Sequence, residues 1–180
     1  MGQLNSGGLS ESEVTQAADL LSRLKPGFLP LKIFHEVTRL TVMPIVEVVP
    51  LRLARSGKIE ILLLQREADD PVWPGQLHVP GTVIRATDTP GSFNTPLQRV
   101  LTKELNGTKT SEPMFVKSIL HHSGRGIEAS QIFWVKVEGE PTEGKFYDVD
   151  SLPQSLVQSQ LKFIPDAIDR FKKHWKLEKS

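Results

Sequence analysis

The sequence predicts a mixed α/β sandwich, on three observations. Two β-rich blocks, residues 42–66 and 114–139, each split into a pair of apolar runs around a short glycine turn. Between them lies a single helix with clear start and stop signals, and helical segments stand at both ends of the chain. That order, helices, strands, helix, strands, helix, fits sheet-and-helix layers better than a regular βαβ repeat. At 180 residues the chain holds one domain with a sizeable core and has no room for two comfortable ones.

The elements follow in order. Ser10 caps a helix with Glu13 three residues on, and Val14, Ala17, Ala18, Leu21 and Leu24 share one face until Lys25-Pro26-Gly27 ends it. Ile33, Phe34, Val37 and Leu40 repeat at helical spacing and predict a second helix over 31–40. Residues 1–9 then read as a flexible tail, 10–41 as a helical extension and 42–180 as the main domain. VMPIVEVVPLRLA and KIEILLLQRE flank RSGK, a hairpin signal, and Pro44 and Pro50 point to an edge, a bulge or a strand end. A proline-rich loop, EADDPVWPGQ, leads into LHVPGTVIR, a strand broken at Pro80-Gly81. Thr95 is read as the cap of a helix with Pro96 at its first position, running to about Asn106 and stopped by Gly107. MFVKSILHH and SQIFWVKVEG form a second meander around SGRGIEA, KFYDVDSLP is a short strand and turn, and the last segment is helical in two parts around Pro165.

Composition narrows the chemistry. Twenty-two basic residues against twenty-one acidic give a net charge of +1, so no global field points to nucleic acid, and the expectation is that there is no nucleic-acid partner. The chain has no cysteine, which removes disulfides, thiolate nucleophiles and zinc–thiolate sites and allows a cytoplasmic home. No apolar run approaches the roughly 18 residues of a spanning helix, so no membrane partner is expected. The N-terminal MGQLNS matches a short acylation pattern but lacks the blocks of a secretory signal. No serine or threonine sits in a nucleophile elbow.

The middle helix carries the candidate chemistry. Leu97, Val100, Leu101 and Leu105 form its apolar stripe, while Arg99, Lys103 and Glu104 carry the polar side. Glu104 borders the stripe, where a carboxylate either reaches a cleft or makes a surface salt bridge. His121 and His122, adjacent on a strand, point to opposite faces and do not chelate one ion together. His78 either contacts a ligand near Pro80-Gly81 or packs its strand. Trp73 and Trp134 are core or cleft-wall residues, or stack on a base. SGRG at 123–126 has the composition of a phosphate loop but sits in a hairpin, and reads as a turn.

From about Ile45 to Pro153 the chain resembles the Nudix hydrolase superfamily. ILLLQREADDPVWPGQLHVPGT is similar to the family's lead-in of a strand ending in Gln-Arg, a Trp-Pro-Gly turn and a Pro-Gly-Gly step, and FYDVDSLP is similar to its later Asp-x-Leu-Pro turn. The family signature is G-x5-E-x7-R-E-U-x-E-E-x-G-U, with U a bulky apolar residue. On that frame Thr82 stands at the first glycine and Asp88 at the first glutamate. A three-residue insertion follows, and Arg99 then matches the arginine and Leu101 the apolar position. Val100 and Lys103 occupy two of the three helix glutamate positions, Glu104 alone remains, and Gly107 comes one residue late.

The resemblance implies a Nudix-like α/β/α sandwich with a mixed sheet. It also implies Mg²⁺ or Mn²⁺ held by carboxylates, here Glu104 and Asp88, with Glu104 and Arg99 as catalytic residues. Arg66, His78, Trp73 and Lys103 are the matching candidates for substrate binding. Glu138, Glu140 and Glu143 in a late loop, or Asp69 and Asp70, are compensating acids or solvated loop carboxylates. An ammonium about 5 Å from a divalent ion repels it by roughly 6–7 kcal/mol at an effective dielectric near 20. Lys103 therefore weakens a metal site, unless it holds a phosphate itself in place of the ion. Two functions follow: a hydrolase of nucleoside diphosphate-linked or related phosphoanhydride substrates, weak or altered, or an inactive nucleotide-binding or regulatory module. The helical extension either covers the cleft, forms a homodimer surface or completes the core.

Overall fold

The computed structural model of the chain describes residues 7–178. The acylation pattern, within residues 1–6, and most of the tail assigned to 1–9 lie outside them. Two helices, α1 (Glu11–Ser22) and α2 (Leu31–Leu40), precede the strands β1 (Met43–Leu53), β2 (Ile59–Gln65), β3 (Leu77–His78) and β4 (Gly81–Val83). Helix α3 (Asn94–Glu104) follows, then β5 (Lys109–Thr110), β6 (Met114–His122), β7 (Ile127–Glu138) and β8 (Lys145–Asp148). A short 3-10 helix (Gln158–Lys162) leads into α4 (Ile164–Glu178).

The eight strands make one mixed sheet. Strands β1 and β7 run parallel at its centre, from Met43 beside Glu128 to Leu51 beside Lys136, and the other pairings are antiparallel. Strand alternation divides the core. Val49, Leu51, Ile61, Leu63 and Trp134 pack with Phe163, just before α4, and with Ile168 and Phe171 of α4, while Val46, Val48, Leu62, Phe133 and Val135 pack with Leu97 and Val100 of α3 and with Leu105 at its end. Helices therefore cover both faces, giving the expected α/β/α sandwich. Each fully buried Val, Leu or Phe contributes about 1.5–3 kcal/mol, so the two layers together outweigh any surface pairing.

Three local expectations are corrected. Pro44, the second residue of β1, sits at a strand end as expected, but Pro50 lies inside the central strand. On the side away from β7, β1 pairs first with β4 over 45–47 and then with β2 over 51–53, and Pro50 falls in the gap between these partners. The cap of α3 is Phe93, without a side-chain bond, because the Thr95 hydroxyl accepts from the Thr89 amide at 3.4 Å instead. Pro96 is then the third helical residue, still within the first turn where a missing N–H costs nothing. The helix ends at Glu104, with Gly107 two residues past the Leu105 cap at φ +86°. Strand β5 was not foreseen, being only two residues long.

Candidate functional site

Strands β1 and β2 form a hairpin at one end and splay apart at the other. The segment 77–83 fills the fork, β3 pairing with the end of β2 and β4 with the start of β1. Its kink at Pro80-Gly81 lets the Pro80 carbonyl accept from the Val48 amide at 2.9 Å. Four elements meet at the fork's open end: Glu47 on β1, Arg66 just past β2, Gly81 at the start of β4, and Lys103 and Glu104 on the last turn of α3. They line a cleft of about 540 Å³, with Arg85 and Arg125 and, from the N-terminal extension, Phe28 and Phe34 among its walls.

Gly81 is the hinge of this arrangement. Its amide donates to Glu104 Oε2 at 3.3 Å, and a Cβ placed on it would lie 2.5 Å from Glu47 Oε2. A side chain here would run into the Glu47 carboxyl and the Val46 carbonyl, so only glycine leaves room. Glu47 is buried, and burial pushes its carboxyl up to about 8, helped by the charge of Glu128 and opposed by Arg125 and Arg66. The Gln160 amide donates to its Oε2 at 3.5 Å, while Gln160 Oε1 accepts from the Val79 amide at 2.9 Å. Burial also raises the Glu104 carboxyl, against the Gly81 hydrogen bond, Lys103 and Arg66, and the exposed Glu143 adds to the rise.

The cleft is also lined by cations. Arg66 and Arg125 both lie over the ring of Trp73, at 5.3 and 4.9 Å from ring centres, so two like charges share one aromatic support. Asp70 pairs with Arg66 at 3.5 Å, and Glu128 with Arg125 at 2.7 Å. Arg66 Nε is buried without a hydrogen-bond partner, an unsatisfied donor of the kind folded proteins rarely keep. Arg125 sits in the β6–β7 turn, held by close packing of Gly124 against Val72 and Trp73 and of Gly126 against the Thr38 carbonyl.

The predicted residues divide accordingly. Glu104, Lys103 and Arg66 come together in the cleft. Asp88 and Arg99 do not line it; they bind each other through two hydrogen bonds of 2.7 and 3.0 Å, and Arg99 also donates to the Val83 carbonyl at 3.0 Å. That pairing holds the Asp88 carboxyl below the usual range and clamps the loop before α3 onto the helix. Trp73 lies behind the guanidiniums, its amide and that of Val72 donating to Asp70 Oδ1. His78 is buried, bonded through Nδ1 to the Val79 carbonyl at 2.7 Å, and burial with nearby Arg66 lowers its pKa to about 4, so it is neutral near pH 7. His121 is buried against Ser130 and His122 is exposed, on opposite faces as expected. Glu140 pairs with Arg52 at 2.8 Å. Val100 is fully buried in the α3 core, closed to any ligand.

Glu47 and Arg125 were not singled out from the sequence. Glu47 had a signal, a lone acid in the apolar run MPIVEVVP, where a charge must find a partner or lose its proton. Arg125 had none beyond its turn, because its contact with Trp73 joins residues far apart in the chain.

This donor set does not fit a divalent ion held by several carboxylates. Among the described residues no cluster of three or more His, Cys, Asp or Glu is placed to hold a metal. Of the two cleft carboxyls, Glu47 keeps its proton up to about pH 8, and Arg66, Lys103 and Arg125 line the same space. Lys103 is exposed, so water screens it and its repulsion of an ion is weaker than the sequence-based figure.

Comparison with solved structures gives the class. A mutT/nudix family protein from Listeria innocua superposes with a TM-score of 0.62 at 18% identity, covering 76% of this chain and 99% of that one. The NUDIX domain of Shewanella oneidensis NrtR complexed with ADP ribose superposes at 0.55 and 18% identity, covering 86% and 97%. The chain thus has the Nudix fold. No protein-family model matches the sequence, and no curated protein does. One expectation is overturned here: Shewanella oneidensis NrtR complexed with a 27mer DNA also matches, with a TM-score of 0.53, 18% identity and coverage of 72% and 62%. A near-neutral net charge therefore does not exclude a nucleic-acid partner for this fold, since an average over the chain says nothing of one face. Among the described residues no helix is long and apolar enough to cross a membrane.

Proposed function

We propose that the cleft binds the phosphoanhydride of a nucleotide-like ligand directly on side-chain cations, as a binding or regulatory module on a Nudix fold. The observation that carries this reading is the pair Arg66 and Arg125 on one Trp73 ring, lining the same cleft as Glu104. With Arg85 and Lys103 they put four cations around two carboxyls, one of which is protonated below about pH 8. Planar guanidiniums offer paired donors to phosphate oxygens. The ADP ribose complex of NrtR, a similar fold, supports a diphosphate ligand of this type.

A second reading, hydrolysis of such a phosphoanhydride assisted by Mg²⁺ or Mn²⁺, rests on Glu104 as a cleft carboxylate whose proton affinity is raised by burial. Calorimetric titration with ADP, paired with a turnover assay on ADP-ribose in the presence and absence of Mn²⁺, separates the two. Binding weakened at least about tenfold by Arg66→Ala and by Arg125→Ala, with no turnover, is the expected result. Metal-dependent turnover that disappears in Glu104→Gln would replace the binding reading with the hydrolytic one.

A further inference from the structure

The cleft has two chemically different ends, and the second belongs to the N-terminal extension. Beyond the cations its lining is Phe28, Leu29, Leu31 and Phe34, with Met43 and Ile45 at its floor. The extension spans the cleft from lip to lip. At one side a Cβ on Gly27 would touch Thr87, and Arg85 lies 5.5 Å from the Phe28 ring centre. At the other the Thr38 carbonyl closes on Gly126, and Arg125 lies 5.9 Å from the Phe34 ring centre. Arg125 thus joins the two ends, with Trp73 on one side and Phe34 on the other.

Phe28 is 85% exposed, more than Leu31 at 60%, while Met43 and Ile45 at the floor of the same cleft are buried. Leaving a phenylalanine in water forgoes about 2 kcal/mol of burial. A ring backed by a guanidinium and otherwise open has the form of a stacking platform, and its natural occupant is a flat, electron-rich ring rather than a flexible chain. We infer that Phe28, backed by Arg85 and continued by Phe34, is the nucleobase subsite, so that the extension supplies recognition of the base while Arg66, Arg125 and Lys103 take the phosphates. This inference rests on the phosphoanhydride-binding reading above and adds what that reading leaves open, the part of the ligand that the extension selects.

The test compares ADP with inorganic pyrophosphate, by calorimetry on the full chain. ADP is expected to bind roughly tenfold more tightly than pyrophosphate. Phe28→Ala should remove most of that advantage while leaving pyrophosphate affinity and Tm unchanged, since the ring is exposed. Phe28→Trp should keep the advantage, with indole emission quenched by ADP and not by pyrophosphate. Pyrophosphate binding with no preference for ADP, or equal losses for both ligands in Phe28→Ala, overturns the base subsite alone. Failure of both ligands to bind the unaltered protein overturns the phosphate reading and the base subsite with it.

Discussion

Gly81 and the two carboxyls beside it set the character of the site. The 2.5 Å gap to Glu47 leaves no space for a methyl group next to a buried carboxyl and the Val46 carbonyl. Gly81→Ala is therefore expected to lower stability by about 1–3 kcal/mol and to weaken ADP binding, read by thermal unfolding and calorimetry. Lys103 controls charge at the same place. Lys103→Glu removes a cation beside Glu104 and adds a carboxylate, so Mn²⁺ affinity, followed by electron paramagnetic resonance, should rise about tenfold or more while ADP affinity in metal-free buffer falls. An unchanged Mn²⁺ affinity would mean that Lys103 has no part in excluding the ion. Glu104 was legible in the sequence because helical periodicity sets it at the border of an apolar stripe, and Lys103 because the family resemblance puts it at a glutamate position. Arg125 was not, since its place depends on a turn meeting a tryptophan loop from another part of the chain.

At the scale of elements, α3 is held by two devices. Its apolar stripe buries Leu97 and Val100 against the sheet, and the Asp88–Arg99 pair ties its middle to the loop that precedes it. Arg99 is largely shielded and Asp88 more so, which makes this pair worth more than a surface bridge. Arg99→Ala should cost about 2 kcal/mol in denaturant unfolding and leave the affinity for pyrophosphate close to that of the unaltered protein. A loss of affinity without a loss of stability would return Arg99 to the site. The hairpins β1–β2 and β6–β7 could be read directly, because glycine turns between apolar runs fix them locally. The fork between β1 and β2 could not. It depends on which edge of β1 the segment 77–83 chooses, a tertiary decision that leaves Pro50 inside a central strand.

For the whole molecule, Glu47 makes stability depend on pH. Its folded pKa is raised, so between the ordinary carboxylate value near 4.3 and about 8 the folded state holds a proton that the unfolded state has released. That contribution to stability is complete at the low end of the window and is lost as pH climbs through about 8. Glu47→Gln should flatten this decline, gaining Tm over the unaltered protein at pH 8 and little at pH 5. Ionised Glu47 would also place a negative charge among Glu128, Glu104, Arg66 and Arg125, so ADP affinity should weaken above about pH 8 in the unaltered protein and not in Glu47→Gln. The central claim is that cations of the chain itself stand in the cleft where the family resemblance implies a metal. Its most direct measurement is the ADP dissociation constant with excess EDTA and again with millimolar Mg²⁺. Equal or tighter binding in EDTA is predicted; binding that appears only with Mg²⁺ would contradict it.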